Sequence, residues 1–215
     1  MLLWPSTIDY FLSALTTLMV TVDPPGLAPI FLSLTMGMTP KEQRSVALRA
    51  TLIAAGVMVG FAFFGQTVLK ALGISVPAFR IAGGLLLFWI SFEMIFEIRN
   101  RRKTNVASTA INEDHIRNVA AFPLAIPLMA GPGTITATML TAGTAYGDPL
   151  KLSALMLVIA IVSLSCLLTF FVAEKLSKVL GVTGNLVLTR LLGVILAALA
   201  VQFVIDGVKA VIAAG

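Results

Sequence analysis

Apolar residues run along the chain in long stretches separated by short polar intervals. Windows of about 19 residues place these stretches at 8–34, 46–70, 77–97, 120–142, 152–173 and 187–210. A run of roughly 20 apolar residues is enough to cross a hydrocarbon core about 30 Å thick. The pattern therefore predicts an all-α transmembrane fold of six spans. One polar interval is long, Arg99 to Asn118 (RNRRKTNVASTAINEDHIRN). Rich in charge, Asn, Ser and Thr, it has little to bury and is expected to be a mobile linker. The chain then divides into a three-helix unit at 1–98, a polar linker at 99–119 and a second three-helix unit at 120–215.

Composition agrees with this division. The 215 residues are 58% hydrophobic and 12% charged, with mean hydropathy +1.00, whereas a soluble domain carries about 25% charged residues. A water-soluble globule of this composition could not cover its surface, so the lipid bilayer is the first partner. The single cysteine, Cys166, excludes an intrachain disulfide. The single histidine, His115, leaves no His/Cys metal set. No G-x-S-x-G motif marks a nucleophile. The expectation is a protein that is not an enzyme and uses no metal or cofactor. His115 lies with Glu113, Asp114 and Arg117 in the linker and reads as part of a solvated charge cluster.

A net charge of +5 and a pI near 9.7 raise the question of nucleic acid. Placement of the basic residues answers it. Lys41, Arg44, Arg49, Arg99, Arg101, Arg102, Lys103, Arg117, Lys175 and Lys178 fall in one set of alternate loops, and only Lys70, Lys151 and Lys209 in the other set and the tail. The positive-inside rule puts the first set in the cytoplasm and both termini outside. The basic excess thus sets topology, with no nucleic-acid role; the cytoplasmic stretch can also attract anionic headgroups. Residues Met1 to Tyr10 lack a basic n-region and read as the start of the first span, not a signal peptide. The expected location is a bacterial inner membrane, crossed several times.

The two units resemble one another. Lys70-Ala71-Leu72-Gly73-Ile74-Ser75 recurs as Lys178-Val179-Leu180-Gly181-Val182-Thr183; Arg80-Ile81-Ala82-Gly83 recurs as Arg190-Leu191-Leu192-Gly193; Pro25-Gly26 recurs as Pro132-Gly133. The order is kept at nearly one offset. Three spans per unit force the second copy to enter the membrane from the opposite side, giving an inverted repeat. Such repeats are common in secondary transporters, which enclose a midplane site between two halves that rock around it.

The first helix of each unit carries a breaking cluster: Asp23-Pro24-Pro25-Gly26 with Pro29, and Pro127 followed by Ala130-Gly131-Pro132-Gly133-Thr134. Proline removes a backbone donor and clashes with the preceding turn, and glycine allows the angles a break requires. Each cluster is either a kink in a full span or the tip of a re-entrant hairpin. The freed backbone groups need partners in hydrocarbon. N–H groups after a break suit a carboxylate, and the carbonyls before it suit an ammonium or small cation. Asp23, Pro25, Gly26, Gly131, Pro132, Gly133 and Thr134 are the candidate substrate-binding residues, with Thr136 and Thr138 as further hydroxyls.

Charges inside spans usually face a cavity or a partner. Asp23 and Glu93 are candidates for proton coupling. Arg80 and Arg190, which open the third helix of each unit, are candidates for gating, pairing with acids of the other half or attracting an anion; they also have the length to snorkel to headgroups. Glu97 lies near the interface. Gly83, Gly84 and Gly193, with Ala197, Ala198 and Ala200, read as small faces for close helix packing, and Trp4 and Trp89 as interface anchors.

The Asp23-to-Pro29 segment, the Pro127-Leu-Met-Ala-Gly-Pro-Gly segment and the paired Arg-x-x-Gly motifs resemble the MarC family of bacterial and archaeal inner-membrane proteins across essentially the whole chain. The resemblance implies six spans and a place among transporters of small neutral amino acids, with proton or sodium coupling open. Where that family commonly has Asn-Pro, this chain has Asp23-Pro24, a carboxylate able to meet a cation or ammonium. The expected function is secondary transport of a small solute by alternating access. The alternative is a non-transporting membrane protein that handles lipid or scaffolds a complex.

Overall fold

In the computed structural model, which describes residues 7–112 and 119–214, the chain is built from helices: α1 Thr7–Val22, α2 Pro24–Leu34, α3 Pro40–Ala71, α4 Val76–Ile95, α5 Ile98–Asn112, a loosely coiled segment Ala120–Met129, α6 Pro132–Ala145, α7 Pro149–Phe171 and α8 Ala173–Ala214. Among the described residues, α3, α4, α7, the α1–α2 pair and the 183–213 part of α8 are each long and apolar enough to cross a membrane. Segment Ala120–Met129 with α6 makes a sixth when the bent pair is taken as one span. Helix α5 lies outside these spans.

Local chemistry explains the element boundaries. Four helices with proline in their first turn start on a side-chain cap: Asp23 for α2, Thr39 for α3, Ser75 for α4 and Asp148 for α7. At α3 the cap is reciprocal, with Thr39 N–H donating to Glu42 Oε2 at 2.8 Å and Glu42 N–H to Thr39 Oγ1 at 3.4 Å. Proline in the first helical turn suits these starts because its missing N–H is one that would have no helical partner. Helix α6 begins the same way on Pro132, but its cap is Gly131, which has no side chain to offer.

The two expected breaks take different forms. Between α1 and α2 the chain is interrupted at the single residue Asp23. Before α6 the break is wider. Phe122 and Ile126 are extended (φ −132° and −128°) within segment Ala120–Met129, each just ahead of a proline, as the clash with the proline ring requires. The segment and α6 are bent by 58° at the Ala130-Gly131 junction. Helix α8 has its own interruption at Gly181, with φ 58° and ψ −174°.

The most extensive helix pair is α4 with α8. A Cβ on Gly84 would stand 2.8 Å from Ala200 O, one on Gly193 3.2 Å from Ser91 O, and one on Gly207 3.1 Å from Pro77 O. The two helices are therefore antiparallel and close enough for backbone contact, which only glycine permits at these positions. Gly83 has the same role toward α6, where a Cβ would meet Thr136 Cγ2 at 2.8 Å. The small faces are packing faces. Tyr10 Oη donates to Thr141 O at 3.1 Å, tying α1 to α6. Leu18, Leu27, Leu87, Leu124, Met129 and Leu155 fill the centre, while on an outward face Trp89 stacks on Phe92 and Phe96 lies tilted against Phe92. Glu113, Asp114, His115, Arg117 and Trp4 lie outside the described residues.

One segment departs from the sequence reading. Ile98–Asn112, expected as part of a mobile linker, is helix α5, and it packs on α2, α4 and segment Ala120–Met129. Its residues Arg99 and Lys103, four apart and so on one face, are each only 6% exposed. Lys103 is buried against Asp23 and Arg99 against the carbonyl end of α1, partners that apolar patterning does not reveal.

Candidate functional site

Asp23 carries two backbone tasks. It closes α1, its N–H donating to Met19 O at 2.9 Å, and it opens α2, its Oδ1 accepting from Gly26 N–H at 3.2 Å. To do both it adopts the left-handed region (φ 59°, ψ 65°), which Asp and Asn tolerate better than other residues with a side chain. Gly26 has to be glycine, because a Cβ there would lie 2.1 Å from Asp23 Oδ2. Asp23 itself is fully buried.

Helix α5 answers the charge and the open helix end left by this break. Arg99 Nη2 donates to Thr21 O near the end of α1, and its Nη1 lies 2.9 Å from Met94 Sδ. A carbonyl that the helix can no longer satisfy gains a cationic donor. Lys103 Nζ sits 3.7 Å from Asp23 Oδ2, an ion pair without a hydrogen bond, and neither atom has a hydrogen-bond partner elsewhere among the described residues. Arg102 Nη1 bonds Glu93 Oε1 at 2.9 Å, with Glu93 buried and Arg102 half-exposed. Glu93 Oε2 is left without a partner. Burial pushes the Lys103 ammonium down from its usual range to about 7, helped by repulsion from Arg99 and opposed by Asp23. Burial lowers Arg99 as well, although a guanidinium stays charged throughout the physiological range.

The second break faces the same cluster. Pro132 has no N–H, the first backbone bond of α6 runs from Ile135 N–H to Gly131 O at 2.9 Å, and no side chain caps the N–H groups of Gly133 and Thr134. These groups carry the positive end of the helix dipole. Gly133 lies so close to α4 and α1 that a Cβ would meet Ile90 Cδ1 at 2.3 Å and Thr21 Cγ2 at 3.5 Å. The two breaks are thus neighbours.

They open onto different cavities. Gly131, Pro132, Gly133 and Thr134 line a cavity of about 440 Å³ together with Arg99, Arg102, Lys103 and apolar residues that include Trp89 and Leu128. Pro25 and Gly26 line another, of about 290 Å³, with Thr104, Ser177 and Asn185. The expected substrate-binding residues do not surround one space. Helix α5 stands between the two, Lys103 on one side and Thr104 on the other. Thr134, Thr136 and Thr138 are buried, and the hydroxyls of Thr134 and Thr138 donate to Met129 O and Thr134 O at 2.8 Å each.

Of the remaining candidates, Arg190 reaches Glu97 of the first half at 3.5 Å, the cross-half pairing that sequence allowed. Both side chains are substantially exposed, so the pair contributes little by itself. Arg80 forms no ion pair among the described residues and lies at the opposite end of α4 from Glu93. Asp206 accepts from Gln202 Nε2 at 2.8 Å. Arg99, Arg102 and Lys103 are the site residues that sequence reasoning missed. The i, i+4 spacing of Arg99 and Lys103, set against an unmatched carboxylate in the first span, was the available signal.

Comparison with known proteins agrees with the sequence motifs. The sequence model described as "MarC family integral membrane protein" matches residues 8–212. The UPF0056 membrane protein MJ1677 of Methanocaldococcus jannaschii is 38% identical over 94% of this chain and 97% of its own. The UPF0056 membrane protein YhcE of Escherichia coli is 36% identical over 90% and 89%, and YvbG of Bacillus subtilis is 32% identical over 94% and 95%. No solved structure matches the chain significantly.

Proposed function

The chain belongs to the MarC family of integral membrane proteins, and we propose that it is a secondary transporter of small solutes, neutral amino acids foremost, working in the plasma membrane by alternating access. The observation that carries this reading is the pair of broken helices whose breaks adjoin each other, next to a cavity and a buried set of charges. Buried ion pairs add little stability against well-packed apolar residues, and charges within membrane segments usually mark a pathway or a site. A scaffold would have no use for an uncapped helix end facing a cavity.

The motion rests on the proposed inverted repeat. The recurring motifs support it, as does the antiparallel contact of α4 with α8, the third span of each unit. In that arrangement the N-terminus and C-terminus both face outward and the basic loops face the cytoplasm. Asp23 and Glu93 are the carboxylates through which a proton or sodium ion would be coupled, and each already has a cation beside it to release. Reconstitution into liposomes with a panel of labelled amino acids, with and without a proton or sodium gradient, tests the reading. Saturable uptake of at least one small neutral amino acid is expected. No flux of any of them in protein shown to be folded would contradict it.

A further inference from the structure

We propose that the cavity between α5 and the start of α6 binds the carboxylate of a small organic solute, held by the free N–H groups of Gly133 and Thr134 and by the buried cations Arg99 and Lys103. The inference rests on the transporter reading only in naming the bound group as part of the substrate. Its own ground is an uncapped helix start and a buried ammonium without a hydrogen bond, that of Lys103, on one cavity.

Three cations border this space, Arg99, Arg102 and Lys103. Two carboxylates meet them: Glu93 pairs with Arg102 and Asp23 with Lys103. Arg99, 6% exposed, has no carboxylate within ion-pair distance among the described residues; its contacts are a backbone carbonyl and a thioether. A buried guanidinium cannot shed its charge, and Asp23 and Glu93 act on Arg99 only from beyond ion-pair distance. Lys103 Nζ, with its side chain 7% exposed, also lacks any hydrogen bond and borders the same space. The uncapped start of α6 adds backbone donors and a partial positive charge.

Arg102 is half-exposed, so the buried charges, Arg99 and Lys103 against Asp23 and Glu93, already cancel, and a singly charged guest disturbs that balance less than a doubly charged one. A carboxylate offers two oxygens, enough to reach backbone N–H groups with one and a cation with the other. The remaining wall, with Trp89, Ile90 and Leu128, is apolar and suits a short hydrocarbon side chain. A lipid phosphodiester is also singly charged, and the experiment separates that source from a soluble carboxylate.

The full chain in phosphatidylcholine nanodiscs is titrated with labelled acetate and labelled L-alanine, with L-alaninamide, which lacks the carboxylate, as competitor. Acetate and alanine should bind and displace each other, and alaninamide should displace neither. Lys103→Met should weaken both by on the order of tenfold or more, as expected for a lost charge-assisted contact. Lys103→Arg should keep most of the affinity. Competition by alaninamide equal to that of alanine would overturn the proposal, as would unchanged acetate binding in a folded Lys103→Met protein or no binding of either ligand. Loss of acetate binding on adding phosphatidylglycerol to the nanodisc would overturn it by making a lipid the occupant. The competition arm uses only the wild-type chain and stands if the variant does not fold. Binding without flux would leave this site standing and remove the transport reading.

Discussion

Lys103 Nζ lies 3.7 Å from Asp23 Oδ2, with the two side chains 7% and 0% exposed. It joins a helix outside the spans to the one residue that breaks the first span. Removing one partner from such a pair leaves the other buried and uncompensated, at about 3–5 kcal/mol. Lys103→Met should therefore destabilise the protein by an amount of that order in detergent unfolding. Asp23→Asn should restore part of the loss, because asparagine also tolerates the left-handed backbone and can cap α2. A double variant no more stable than Lys103→Met alone would break the link between the two.

The Lys103 ammonium has opposite consequences for stability and for anion binding. Its folded-state value is pushed down to about 7 from 10.5, so the unfolded chain binds more protons between those values. Stability should rise as pH increases through that window. Carboxylate affinity should fall over the same range, because the site loses a cation. The groups around Lys103 are Asp23 at the break, Arg99 and Arg102 on its own helix, Glu93 on α4 and Cys166 on α7. Melting temperature and acetate affinity measured from pH 6 to pH 9 check both signs. Parallel movement of the two quantities would contradict the assignment, and Lys103→Arg should flatten both curves.

Gly133 is where the second break meets the first. Gly133→Ala would place a Cβ 2.3 Å from Ile90 Cδ1, an overpacking that typically costs about 1–3 kcal/mol. The obstacle is the far end of one side chain. Ile90→Val, which removes only the obstructing Cδ1, should recover part of the stability in the same protein, and unfolding of the single and double variants measures this.

Backbone contact between α4 and α8 makes a sharper demand. In Gly84→Ala the new methyl would stand 2.8 Å from Ala200 O, a carbonyl that cannot rotate away, whereas Gly56 has no atom within 4 Å of the corresponding position. Gly84→Ala should destabilise by about 1–3 kcal/mol. Gly56→Ala should be neutral or stabilising by up to about 1 kcal/mol, since alanine is the better helix former. Equal effects at the two positions would argue against the close antiparallel packing.

The spans and the position of both breaks were legible because a bilayer-length apolar run and a Pro-Gly cluster are local signals. Asp23 and Gly133 could be named from sequence for that reason. That Asp23 caps α2 while Gly131 leaves α6 open was not legible, since it depends on the backbone conformation at each break. Helix α5 has no such mark, because Arg99 and Lys103 are buried by meeting Asp23 and the end of α1, not by any apolar stripe. The division of Pro25 and Gly26 from Gly131 to Thr134 into two cavities follows from where α5 docks, a tertiary fact with no sequence mark.

Solute counterflow tests the central claim most directly. Proteoliposomes preloaded with unlabelled L-alanine and diluted into a trace of labelled L-alanine should accumulate label transiently above equilibrium, because an alternating-access carrier exchanges one bound solute for another. Folded protein that gives no overshoot with any of the small neutral amino acids, or label that only equilibrates as through a pore, would contradict the account.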